Sequence, residues 1–437
     1  VGKIVTNGQA GRPRVRGCAL ASVSILSLAV MGVAAKAQPT GGSVVAGRAQ
    51  ISSSGANTLI NQSTSKAIIN WQSFSVGQGG SVQFNQPNSS AITLNRVTGT
   101  SASTIDGAIR ANGQVWLLNP NGLLFGNGAT INVGGLLATT SDIADQDFLG
   151  GRYNFSSTGG KGTITNSGSI TVGKGGSVVL SAPSVTNKGL IAATAGHVVL
   201  GGTDTFTVDF NGDHLLSYAV SPNSSGGKVA DSGKITASGG TILMTARAAA
   251  GVQDAVINNT GMVEANSVRQ ENGEIVLEAD NGTVANSGTL DASGKGTGET
   301  GGTVKVLGQQ VAVADGARID VSGDAGGGTA IIGGNLHGAG PEPNAQNTTV
   351  GKAIINASAI TRGNGGTVAV YSVGNTRVSG TITAKGGIIS GNGGMVETSG
   401  HVLGVTSDAS VNTLAPHGKS GTWLLDPDFI NITSAGS

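Results

Sequence analysis

The sequence predicts an all-β chain, folded as a right-handed parallel β-helix (a solenoid) with an N-terminal cap and small extra hairpins. Three observations carry this reading. Glycine supplies 75 of 437 residues, while charged residues make up 11% and aromatics 3%. Glycine usually accounts for about 7% of a chain, so this composition describes many corners around a narrow interior. Short segments alternate apolar and polar with period two, the pattern of strands buried on one face. Finally, a glycine-led unit recurs: Gly240, Gly273, Gly302 and Gly328 lie 33, 29 and 26 residues apart. Repeats of about 20–50 residues made of strands and turns form stacked coils.

Residues 1–37 read as an export signal. Lys3, Arg12, Arg14 and Arg16 precede an apolar run from Cys18 to Ala35. Ala35-Lys36-Ala37 then gives a small-residue cleavage pattern before Gln38. Serines interrupt the run, which falls short of the roughly 20 strongly apolar residues of a spanning helix. The absence of an Arg-Arg pair points to the ordinary Sec machinery. Cys18 is the one cysteine, so a chain cleaved at Gln38 has none. Such a chain can stay unfolded in an oxidising compartment and pass a narrow pore. The plainer alternative is that cysteine is simply rare here.

Residues 38–225 form a distinct module. Eleven of the fourteen aromatic residues fall between Trp71 and Tyr218. At its centre Asn119-Pro120-Asn121-Gly122 is a tight turn: proline presets φ at the second position, Asn suits the third and Gly the fourth. Val115 to Leu118 before it and Leu123 to Phe125 after it read as buried strands.

With Ile69-Asn70-Trp71-Gln72-Ser73-Phe74, Phe84-Asn85-Gln86-Pro87 and Leu94-Asn95-Arg96-Val97-Thr98-Gly99, this turn resembles the secretion domain of the filamentous-haemagglutinin family, the exoproteins of bacterial two-partner secretion. The resemblance covers roughly residues 38–220. It implies export through a dedicated outer-membrane β-barrel transporter with periplasmic receptor domains, and a place outside a Gram-negative cell, secreted or on the surface. The residues it marks for transporter recognition are Asn119, Pro120, Asn121, Gly122 and Leu123, joined by Asn85, Gln86, Pro87, Asn95 and Arg96. The family's second motif, Asn-Pro-Asn-Leu, has no clean copy here. A purely structural role for the Asn119–Leu123 turn is the alternative to recognition.

Residues 226–437 continue as plainer shaft. Gly302-Thr303-Val304-Lys305-Val306 and Gly366-Thr367-Val368-Ala369-Val370 typify its strands, and Asn286-Ser287-Gly288-Thr289-Leu290-Asp291-Ala292 its corners. Pro341, Pro343 and the polar run from Asn344 to Thr349 mark an extruded loop. Gly421-Thr422-Trp423-Leu424-Leu425-Asp426-Pro427 reads as an interior phrase, which predicts a shaft continuing past Ser437. About 13–16 coils are expected, stacked at about 4.8 Å.

Other chemistry finds little purchase. A net charge of +1 with no basic run beyond the N-terminus argues against nucleic acid, whose phosphates need clustered Lys and Arg. Gly296-Thr297-Gly298-Glu299-Thr300-Gly301 has dinucleotide-loop spacing but no βαβ context. Gly418-Lys419-Ser420 lacks the earlier glycine of a phosphate loop, because Thr413 stands there. No two histidines have ligand spacing. Asp204, Asp209 and Asp213 read as solvated turn carboxylates. No cofactor or metal is expected, nor an enzyme. The expected function is that of a filamentous adhesin binding a host-cell or bacterial surface receptor. The alternatives are the front of a toxin-delivery or haem-binding exoprotein and, from another class, a β-helix polysaccharide-degrading enzyme.

Overall fold

The computed structural model describes residues 37–432, except 211–215, 222–223, 225, 248–254 and 269–270. Most of the expected export signal, Ala35 included, lies outside the described residues, as does Asp213. The described residues form a parallel β-helix with three faces. The first face starts with Lys66–Trp71, Ile92–Val97, Gln114–Leu118 and Gly135–Thr139. The second starts with Ser103–Ile105, Leu123–Phe125 and Ile164–Asn166. The third starts with Asn57–Gln62, Ser81–Asn85 and Ala108–Ala111. Its sheet has 14 strands, one of them antiparallel, so 13 parallel rungs stack along the rod. At about 4.8 Å per rung the shaft spans about 60 Å.

The apolar alternates point inward, in register. Val115, Leu136, Val178, Val198, Ile242, Ile275, Val304, Ala330, Val368 and Val396 stack one above another, all buried. Each such aliphatic removed from water contributes about 1.5–3 kcal/mol. Longer strands such as Glu274–Asn286 turn from the first face to the second, with a register break between Ala279 and Thr283.

Two polar columns hold the corners. Glycines 134, 176, 196 and 240 stack so closely that a Cβ on each of the last three would strike the carbonyl oxygen of the glycine below. Only a residue without a side chain permits that approach. At the next corner Asn166, Asn187, Asp231, Asn259 and Asn286 occupy one register position in successive rungs. Asn166 Nδ2 donates to Asn187 Oδ1 at 2.8 Å, and Asn259 Nδ2 to Asn286 Oδ1 at 2.7 Å.

The N-terminal end is closed by antiparallel pairing. Ser43–Ala46 runs against Lys66–Trp71, and Ala49–Ser54 forms a hairpin with Asn57–Gln62. A second addition covers the outside of the first face. Tyr153–Phe155, Phe206–Phe210 and Leu216–Val220 make a small antiparallel sheet. It lies beside the short helix Asp145–Gly150, here α1. Trp116 is the anchor: its ring centroid lies 4.8 Å from Tyr153 and 5.4 Å from Phe148. Phe155 stacks on Phe206 at 4.6 Å. The aromatic module thus has a physical cause. Trp71, Phe74, Phe84 and Phe125 sit within the narrow rod, while Trp116, Phe148, Tyr153, Phe155, Phe206 and Tyr218 pack outside it, under a lid of their own.

Candidate functional site

The turn after Gln114–Leu118 is built by Asn119. Its backbone carbonyl accepts from Gly122 N–H at 3.0 Å, closing a four-residue turn. Its side-chain Oδ1 accepts from Asn121 N–H at 2.9 Å. Its Nδ2 donates to Ser101 O at 3.0 Å and Ser103 Oγ at 2.9 Å, tying the corner to the next rung. Gly122 sits at φ 110°, where a side chain is strained. The flanking strands do not pair with each other. Gln114–Leu118 pairs with the rungs above and below, and so does Leu123–Phe125. The turn is a coil corner.

Gln86 is a second buried hub. Its Nε2 donates to Ala91 O, Thr93 Oγ1 and Gln114 O at 3.0, 3.0 and 2.9 Å. Its Oε1 accepts from Gly113 N–H at 2.9 Å. Asn112 clamps its backbone from both sides at 2.7 Å. Asn95 accepts from Trp71 Nε1 at 3.0 Å and donates to Trp116 O at 3.2 Å. Arg96 reaches outward to Asp142 at 2.8 Å, Asp145 at 2.7 Å and Ile143 O at 2.6 Å, binding the strand to the segment that enters α1. Burial works against its charge, but the two carboxylates hold the guanidinium above its ordinary pKa.

The marked residues therefore fall into two classes. Asn119, Gly122, Leu123, Gln86 and Asn95 are buried. Asn85, Pro87 and Asn121 are exposed, while Pro120 and Arg96 are intermediate. They do not gather into one patch: the Asn119 turn leads into the second face, Gln86 follows a strand of the third, and Asn95 and Arg96 lie on the first. Ala37 O accepts from Gly77 N–H at 2.7 Å, and Gln38 is half-buried beside it. Asn112, Thr93, Asp142 and Asp145 complete these networks and carry no motif of their own. The one sequence hint is the pair of acids at the start of α1. Among the described residues no three His, Cys, Asp or Glu side chains are placed to hold a metal ion.

This cap, rod and aromatic lid can be set beside known proteins. Residues 35–292 match the TPS secretion domain family. The chain belongs to that family. A TPS secretion domain opens an exoprotein of two-partner secretion, exported across the outer membrane of a Gram-negative bacterium through a transporter partner. Two curated relatives are heme/hemopexin-binding proteins of Haemophilus influenzae. One is 34% identical over 294 residues, covering 65% of this chain and 32% of the relative. The other is 35% identical over 254 residues, covering 53% and 27%. This TPS chain spans a third or less of their length. The crystal structure of the HMW1 secretion domain from Haemophilus influenzae matches at 34% identity and a TM-score of 0.72, covering 89% of this chain and all of that one.

Proposed function

We propose that residues 38–225 carry the signal read by the periplasmic receptor domains of the transporter, and that they are read before the coils form. The observation that carries this is burial: Asn119 is 0% exposed, with its side chain spent on the corner it builds. A receptor reaches such a residue only in an unfolded chain. The sequence of events is Sec export, cleavage between Ala37 and Gln38, capture of the extended chain, passage through the barrel and folding outside. Each finished rung templates the next and opposes backsliding, which supplies direction where no ATP exists.

Outside the cell the rod acts as the shaft of a filamentous adhesin. A second reading, capture of haem or a haem carrier, is favoured by the two heme/hemopexin-binding relatives. Neither reading involves an enzymatic step.

Asn119→Ala should cut secretion at least tenfold in cells carrying the transporter. The order of events is tested by presenting the purified full chain to the transporter, either freshly diluted from denaturant or fully refolded. Only the freshly diluted chain should bind. Equal binding by the refolded rod would overturn the proposal.

A further inference from the structure

Asparagine is a labile side chain, and most so before glycine. With no Cβ to shield it, the glycine nitrogen can reach the asparagine side-chain carbon. The fold ties up nearly every such pair among the described residues. Asn112 clamps the Gln86 backbone, and Gly113 is buried. Asn121 Nδ2 donates to Gly99 O at 2.9 Å, and Gly122 is buried. Asn272 accepts from Thr300 Oγ1 at 3.1 Å, while Asn281 bonds Asp280 at 2.8 Å; Gly273 and Gly282 are buried too. Asn364 and Asn392 each accept a backbone N–H from the following rung, at 2.8 and 2.9 Å.

Asn127–Gly128 differs on both counts. Both residues are exposed. Among the described residues neither the Asn127 side chain nor Gly128 N–H meets a hydrogen-bond partner. They are the second and third residues of a tight turn, closed by Ala129 N–H on Gly126 O at 3.0 Å. The turn joins Leu123–Phe125 on the second face to Thr130–Val133 on the third. Its ends are fixed to neighbouring rungs. Gly126 N–H donates to Ile105 O at 2.8 Å, and Ser169 N–H to Ala129 O at 2.9 Å. The tip between them projects into water.

We propose that Asn127 is a self-modification site of the folded rod, its amide exchanged for a carboxylate with water as the only co-reactant. The Gly128 nitrogen bonds to Asn127 Cγ, the Cγ–Nδ2 bond breaks, and the glycine proton leaves on the departing ammonia. Water then opens the cyclic imide at one of its two carbonyls. One opening gives aspartate. The other gives isoaspartate, whose backbone runs through the side-chain carbon. No electrons are gained or lost. Because the fixing hydrogen bonds lie at Gly126 and Ala129, the exposed tip absorbs the change and the rungs keep their register. A negative charge therefore accumulates at this corner with time outside the cell, on a rod that stays folded.

The test holds the purified full chain in mildly alkaline buffer, folded or in urea, and maps its peptides by mass spectrometry over time. In the folded chain Asn127 should convert at least tenfold faster than Asn112 or Asn121. In isotopically heavy water the new carboxyl should carry solvent oxygen. In urea the same three should convert at rates within about threefold, because the fold makes the selection. Asn127→Asp, which carries the product charge, should melt with the parent. Conversion of Asn127 no faster than that of Asn112 in the folded chain overturns the proposal. So does a tenfold preference that persists in urea, a carboxyl without solvent oxygen, or a lowered melting temperature in Asn127→Asp.

Discussion

Asp231 stands where its stacked neighbours Asn187 and Asn259 carry amides. It is 1% exposed. Asn187 Nδ2 donates to its Oδ1 at 2.7 Å and Gly233 N–H at 3.3 Å, while Oδ2 is buried without a partner. The groups that meet it are neutral. Burial therefore pushes its pKa from 3.8 up to about 6, against the pull of those two hydrogen bonds. The folded state holds the proton more tightly than the unfolded state. Stability is accordingly greatest below about pH 4 and is lost as pH rises through about 6. A shift of about two pKa units corresponds to roughly 3 kcal/mol. Asp231→Asn should stabilise this rung at pH 7.5 and flatten its pH dependence between 4 and 6. Hydrogen exchange of residues 228–236 across that range checks it: protection should rise on acidification in the parent and stay level in the variant.

At the scale of the element, the aromatic lid is the least local part of the fold. Trp116 joins a strand of the first face to α1 and to the small antiparallel sheet. Lys66 adds to it, donating to Phe148 O at 2.8 Å at the end of α1 and lying 5.2 Å above the Tyr153 ring. Trp116→Ala removes the anchor while leaving the inward ladder untouched. It should cost about 3–5 kcal/mol, felt as faster exchange in residues 145–155 and 206–210, with rungs beyond residue 274 unchanged. The same lid marks the limit of what the sequence made legible. Val304 and Val306 alternate and point inward as read, and Asn119–Gly122 closes the turn its residues predict. Val179 and Val199 break the alternation, because they face outward yet are buried against the lid. Segments from 153 to 220 supply that cover, and nothing near residue 179 announces it. Arg96 likewise was marked by its motif, while its partners lie 46 and 49 residues away.

At the scale of the molecule, the rod is a sum of rungs that touch only their neighbours, so its integrity depends on register more than on length. Gly273 and Gly302 stack, and Glu274 pairs with Thr303, which in turn pairs with Thr329. Residues 274–302 therefore make one full turn. Removing them brings Thr303 onto Thr241, the present partner of Glu274. Val304 then meets Ile242, and the inward ladder closes without a gap. Removing only 274–287 instead joins Gly273 to Gly288, so that a corner meets a first-face strand and the alternates beyond it lose their partners. The full-turn deletion should be secreted at near parental levels and melt within a few degrees of the parent. The half-turn deletion should lose the native circular dichroism of the rungs that follow and fall in secretion, because a broken rung cannot template the next one at the cell surface. Equal secretion of both deletions would show that folding outside does not draw the chain across the membrane.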